Sequence, residues 1–240
     1  MEYAFAAAVL LAAYFVRGIS GFGSGLVAVP LLALTFPLTQ VVPFMLLMDL
    51  TASAILGQAN RRLVRWGELV PLAPGSVLGV VLGATLLLAL DRQALLTTLG
   101  LLVILFALRS LLALQDGRPI SRLWAFPASF IGGTVSALFG TGGPPYVIYL
   151  SHRLRDKSAF RATTSALFLL EGALRALVFA ASGLIQPRVL AGYVLALPLM
   201  GLGLWAGSRV HVGLSNAQMM RVIGGLLLMS GFALLWKAGH

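Results

Sequence analysis

Between Arg17 and Pro30 the chain reads RGISGFGSGLVAVP, with Gly18, Gly21, Gly23 and Gly25 interleaved with Ser20 and Ser24. This stretch interrupts an apolar segment that runs from Ala4 to Phe36. As one continuous helix the segment would be about 50 Å long at ~1.5 Å per residue. The hydrocarbon core of a bilayer is only about 30 Å thick. Glycine clusters disfavour helix and let the backbone approach another group closely. The expected shape is therefore two half-helices meeting at a polar break. A related stretch, SALFGTGGPP, follows from Ser136 to Pro145. Phe22-Gly23-Ser24-Gly25 pairs with Phe139-Gly140-Thr141-Gly142, which points to one unit used twice.

Composition supplies the bilayer. The chain is 59% hydrophobic and 10% charged, with a mean hydropathy of +0.97, whereas soluble domains carry about 25% charged residues. It reads as an all-α polytopic membrane protein, since no alternating ten-residue strand pattern appears. The formal charge of +10 sits between apolar runs, as in cytoplasmic loops, and not on one soluble face that would bind nucleic acid. Having no Cys excludes disulfides and thiolate metal sites. The start, MEYAFAAAVL, lacks the basic region of a signal peptide and is expected to be retained.

After the first broken element the apolar runs are Val41–Gln58, Leu69–Leu90, Ala94–Leu114, Trp124–Leu150, Ala162–Ser182, Val189–Ser208 and Gln218–Trp236. Basic loops lie at Asn60–Trp66 (Arg61, Arg62, Arg65), at Gln115–Leu123 (Arg118, Arg122) and at Ser151–Arg161 (Arg153, Arg155, Lys157, Arg161). The positive-inside rule makes all three cytoplasmic. The last two are separated by one element, Trp124–Leu150, so they share a face only if that element dips in and returns. Applying the same hairpin to Ala4–Phe36 puts both termini in the periplasm. Each half then has one re-entrant element and three spanning helices, and the halves are inverted repeats: residues 1–114 and 124–240, joined by a cytoplasmic linker at 115–123. Transporters commonly use this architecture, with sites at discontinuous helices near the midplane. Eight full crossings with parallel halves are the rival arrangement. Supporting duplication, Leu47-Met48-Asp49 aligns with Leu169-Leu170-Glu171, and Pro74, Gly79 and Gly83 have the spacing of Pro198, Gly203 and Gly207. Gly75, Gly79 and Gly83 form a small-residue stripe suited to helix packing.

At such a break the returning helix presents unpaired N–H groups and a positive dipole end, which can receive an anion without a buried lysine. The candidate binding positions are Ser20, Gly23, Ser24 and Gly25 in the first break, and Gly140, Thr141, Gly142 and Gly143 in the second. Ser136 can add a further hydroxyl. Asp49 and Glu171 sit in apolar helices, where an ionised carboxylate costs at least ~2.5 kcal/mol, and are candidate proton carriers. Arg175, at i+4 from Glu171, can neutralise it as a structural pair or attract the anion. Arg17, beside the first break, can attract the anion, snorkel or pair with Asp49. Tyr146, Tyr149 and Trp124 are expected as interface anchors or pocket walls, anchoring being the commoner role. Pro144-Pro145 suits the first turn of a returning half-helix.

Two enzymatic readings fail. Gly18-Ile19-Ser20-Gly21 resembles the GxSG segment of rhomboid proteases, but that serine needs a histidine in another membrane helix, and His152, His211 and His240 lie in or near loops or at the end. The glycine spacing at Gly18–Gly25 follows no strand and has no Walker lysine, so it is not a nucleotide loop. Three scattered histidines make no metal centre. No cofactor is called for.

At GFGSGLVAVPLLAL and SALFGTGGPPYVIYL, with a basic loop carrying Trp66 between them, the chain resembles the sulfite exporter TauE/SafE family, also called the toluene-sulfonate uptake permease superfamily. The resemblance covers nearly the whole chain, with Gly21, Gly23, Gly25, Gly140, Gly142 and Gly143 at the family-like glycine positions. Ser24 and Leu26 around Gly25 depart from the commoner triple-glycine form. The resemblance implies a permease of the bacterial inner membrane that moves sulfite, organosulfonates or related anions, with protons as a coupling partner. The expected cycle binds the anion between the two breaks and exposes it alternately to the two sides. An anion channel or a non-transporting membrane assembly factor is the alternative.

Overall fold

A computed structural model describes residues 2–20, 23–56, 61–111, 120–141, 143–209 and 216–239. Among them the chain is helical: α1 (Glu2–Ser20), α2 (Ser24–Ala33), α3 (Leu38–Leu56), α4 (Trp66–Leu69), α5 (Ala73–Ala89), α6 (Arg92–Leu111), α7 (Ala125–Phe139), α8 (Gly143–Arg153), α9 (Lys157–Ala181), α10 (Pro187–Arg209) and α11 (Asn216–Ala238). Among the described residues, six stretches are long and apolar enough to cross a membrane: Glu2–Ile19, Leu38–Ile55, Trp66–Ala89, Arg92–Arg109, Ser158–Ala181 and Pro187–Arg209. The Trp66–Ala89 span contains α4, a 3-10 turn at Val70–Leu72 and α5. Its face at Val77, Leu78, Val81 and Leu82 is exposed, as is that of α6 at Leu101, Leu105 and Leu108. Apolar faces of this kind are stable only against lipid or another protein.

Both Gly-rich elements are broken. The first is divided into α1 and α2, of 19 and 10 residues, and the second into α7 and α8, of 15 and 11. At ~1.5 Å per residue α2 and α8 reach only about 15 Å, half a bilayer.

The helices form two compact units, and each draws on chain from both sides of residues 115–123. The first comprises Met1–Met45, Ala89–Gln115 and Pro187–His240; the second comprises Leu46–Leu88 and Asp116–Gln186. In the first, α1 and α2 pack together as a hairpin. Its closed end is tied by Arg17 to Ser24, and its open end brings the rings of Tyr3 and Phe36 within 6.2 Å of one another. Lys237, at the end of α11, donates to the carbonyl of Leu34 at that open end. The chain thus returns to the level at which it entered.

The second unit has the same plan. Tyr146 of α8 lies against Gly132 of α7 and donates to the carbonyl of Ser129 (3.3 Å), so α8 folds back along α7. At the open end Arg153 donates to the carbonyl of Ile120 (3.1 Å). Glu68, which opens the Trp66–Ala89 span, accepts from Arg153 Nη2 and Nε (2.8 and 3.0 Å), from Arg122 (3.2 Å) and from the phenol of Tyr149 (3.1 Å). Both ends of the hairpin therefore meet on one carboxylate.

Each hairpin also carries a glycine-striped helix on its first arm. A Cβ on Gly79 would meet Phe130 O and Thr134 N, and one on Gly83 would meet Thr134 O and Ala137 Cβ; both contacts are on α7. On α10 a Cβ at Gly203 would meet Leu11 O and Phe15 N, and one at Gly207 would meet Phe15 O and Gly18 Cα, on α1. The stripe is a packing seam: absent side chains let two backbones touch. These matched contacts carry Phe130 onto Leu11, Thr134 onto Phe15 and Ala137 onto Gly18.

Candidate functional site

Two backbone positions shape the breaks. Gly140 closes α7 at φ 66°, with its N–H on the carbonyl of Ser136 at 2.7 Å. Gly23 precedes α2 at φ 94°. A residue with a Cβ is strained by about 1–2 kcal/mol in this left-handed region, so glycine sets the sharp change of direction at both places. One glycine ends a helix and the other begins one, so they do not hold equivalent posts.

In the first break Ser24 is the first residue of α2 and is buried, and Arg17 in the last turn of α1 is buried beside it. Arg17 Nη1 donates to Ser24 Oγ at 2.9 Å. A positive charge therefore sits at the start of a helix whose own dipole end is positive. Gly25 is buried one residue further on. The side chain of Ser20 lies outside the described residues, as do Gly21 and Phe22.

In the second break α8 starts at Gly143-Pro144-Pro145, the proline-tolerant first turn. Thr141 is 3% exposed, and its Oγ1 has no hydrogen-bond partner among the described residues. Gly142 lies outside them. A buried hydroxyl without a partner costs about 1–3 kcal/mol, so a ligand that supplies one is favoured there. α9 flanks the break. Phe168 lies beside Gly143, where an added Cβ would sit 3.4 Å from its ring, and Arg175 Nη1 donates to Ser136 O at 2.8 Å. Glu171 and Arg175 are both buried, with Oε1 and Nε 3.1 Å apart. The two atoms are at ion-pair distance yet make no hydrogen bond.

The second break thus gathers Gly140, Thr141, Gly143, Glu171 and Arg175 in one unit. The first gathers Arg17, Gly23, Ser24 and Gly25 in the other. Asp49 lies in α3, half-buried, in contrast to Glu171, with which it aligns in sequence. Tyr146 and Tyr149 do not stand at an interface. They are 0% and 1% exposed and belong to the core of their unit with Leu69, Leu72 and Leu150, their phenols bound to Ser76 (2.8 Å) and Glu68. Trp124 is exposed. Sequence reasoning missed Thr164, whose buried Oγ1 is also without a partner. Its one sequence signal is its place on α9 a turn before Phe168 and two turns before Glu171, on the same helix face.

Known proteins agree with this picture. The profile of the sulfite exporter TauE/SafE family matches residues 5–234. The chain is 29% identical to the "Probable inner membrane transporter protein TsaS" of Comamonas testosteroni, over 80% of this chain and 82% of that protein. It is 26% identical to the "Probable sulfite/organosulfonate exporter TauE" of Cupriavidus necator, over 96% of this chain and 93% of that one. No solved structure matches. A match over nearly the whole length makes this a multi-pass membrane transporter and not an enzyme: the chain belongs to the sulfite exporter TauE/SafE family.

Proposed function

We propose that the chain is a secondary transporter of small sulfur-containing oxyanions, sulfite or organosulfonates, across the bacterial inner membrane. Anion binding is assigned to the N–H groups and hydroxyls of the breaks, at Ser24 and Gly25 in the first and at Thr141 and Gly143 in the second. Arg17 stands beside the first break, and Arg175, paired with Glu171, beside the second. The observation that carries this reading is the buried, unpartnered Thr141 hydroxyl at the start of α8, next to a glycine-capped helix end. Asp49 or Glu171 takes up a proton during the cycle and couples transport to the proton gradient.

In the bilayer each hairpin is re-entrant. Three crossings, α3, Trp66–Ala89 and α6, separate the first hairpin from the second, and an odd number makes residues 1–114 and 124–240 inverted repeats. The termini then lie in the periplasm, while Arg62, Arg65, Arg122, Arg153 and Arg155 face the cytoplasm. Purified protein in liposomes, loaded with labelled sulfite, sulfate, thiosulfate, sulfoacetate or taurine, tests the reading. It calls for saturable uptake and counterflow of at least one sulfur oxyanion, stimulated by an imposed pH gradient, in molecules whose terminal tags are reached from the periplasmic face. An ohmic anion current without counterflow contradicts a carrier, and no flux of any anion contradicts transport of this class.

A further inference from the structure

The second break holds more unsatisfied chemistry than an anion alone would satisfy. Thr141 Oγ1, Glu171 Oε1 and Arg175 Nε are all buried without a hydrogen-bond partner among the described residues. They are of different kinds: Nε can only donate, an ionised carboxylate oxygen can only accept, and hydroxyls do either. Arg175 is already fixed through Nη1 to Ser136 O, so its Nε cannot swing away to find a partner without breaking that bond. Glu171 faces it at 3.1 Å, and together the pair carries no net charge. Neighbouring α3 packs on α9 through Leu46 and Leu50, which meet Gly172, and over Leu38–Leu56 it carries Asp49 and no basic residue. A dianion here would face a carboxylate with no surplus of positive charge, in a buried place where such repulsion is poorly screened.

We infer that this cluster takes a singly charged sulfur oxyanion that also carries a hydrogen-bond donor, such as hydrogen sulfite or a hydroxyalkanesulfonate. Its sulfur-bound oxygens accept from Arg175 Nε and the Thr141 hydroxyl, and its O–H donates to Glu171 Oε1. The ligand completes the ion pair that the protein leaves geometrically unfinished. The inference deepens the transport reading above and rests on it. A site built to hydrogen-bond a ligand hydroxyl discriminates against the analogue that lacks it, because its own buried groups are then left unpaired.

Titration calorimetry on the full chain in lipid nanodiscs tests this with 2-hydroxyethanesulfonate and ethanesulfonate, which have the same charge and differ by one hydroxyl. The hydroxylated ligand is expected to bind about tenfold more tightly to the wild-type protein, equivalent to about 1.4 kcal/mol. In Glu171→Gln, whose amide oxygen is the weaker acceptor, the ratio is expected to fall to about threefold or less. Equal affinities in the wild type overturn the inference and leave the transporter reading standing, whether or not the variant folds. A ratio unchanged in Glu171→Gln overturns the role given to that carboxylate. Failure of both sulfonates and of sulfite itself to bind removes the anion site on which the inference depends.

Discussion

Replacing Glu68 by Ala is expected to lower the stability of the protein by about 3 kcal/mol, the scale for removing one partner of a buried ion pair. Its side chain is only 10% exposed and gathers Arg153, Arg122 and Tyr149 at the open end of the α7–α8 hairpin. Without it, Arg153 keeps a half-buried charge whose remaining partner is the Ile120 carbonyl. Arg122 is 61% exposed on its side chain, and Arg122→Ala is expected to cost less than about 1 kcal/mol. Heating the detergent-solubilised variants and measuring the monodisperse fraction that survives gives the comparison. Equal losses for Glu68→Ala and Arg122→Ala would contradict the central place given to the carboxylate.

Gly79→Leu is expected to have an effect of similar size by a different cause. A Cβ at this position would lie 2.9 Å from Thr134 N and closer still to Phe130 O, and backbone atoms cannot rotate aside. Overpacking of this kind costs about 1–3 kcal/mol where side chains can yield, and here α5 and α7 must part. At Gly201 on α10 an added Cβ would meet nothing within 4 Å, so Gly201→Leu should stay within about 0.5 kcal/mol of the parent. Little folded Gly79→Leu protein in the membrane fraction, beside normal amounts of Gly201→Leu, is the expected outcome. Equal yields would refute the packing seam.

The parts of this fold that could be read from sequence are those dictated by the solvent and by single residues. Apolar runs near the length of a bilayer gave spans that agree with the helices from α3 to α10, because lipid leaves the backbone no other way to bond. The breaks were readable because Gly23 and Gly140 occupy a conformation that other residues avoid. The fold-back of the second element was implied by charge: Arg122 and Arg153 could share a face only through a hairpin, and they now share Glu68. Glu68 itself was not readable. In sequence it is an acidic residue just past a basic loop, and its partners are 54 and 85 residues away. Tyr146 and Tyr149 misled for a related reason: an amphipathic ring suits an interface or a core equally well, and only Ser76 and Glu68, brought in by the Trp66–Ala89 span, decide for the core. At the site, glycines and hydroxyls showed where an anion could go, while the unpartnered atoms of Thr141, Thr164 and Glu171 appear only once burial is known.

The central claim is that hydroxyls at the two breaks hold the transported anion. Equilibrium binding of labelled sulfite to the purified protein, compared with the Ser24→Ala, Thr141→Ala double variant, tests it most directly. A hydrogen bond to a charged group contributes about 1.5 kcal/mol or more, so the account predicts affinity at least about tenfold weaker in a variant that remains folded. Unchanged affinity would contradict it.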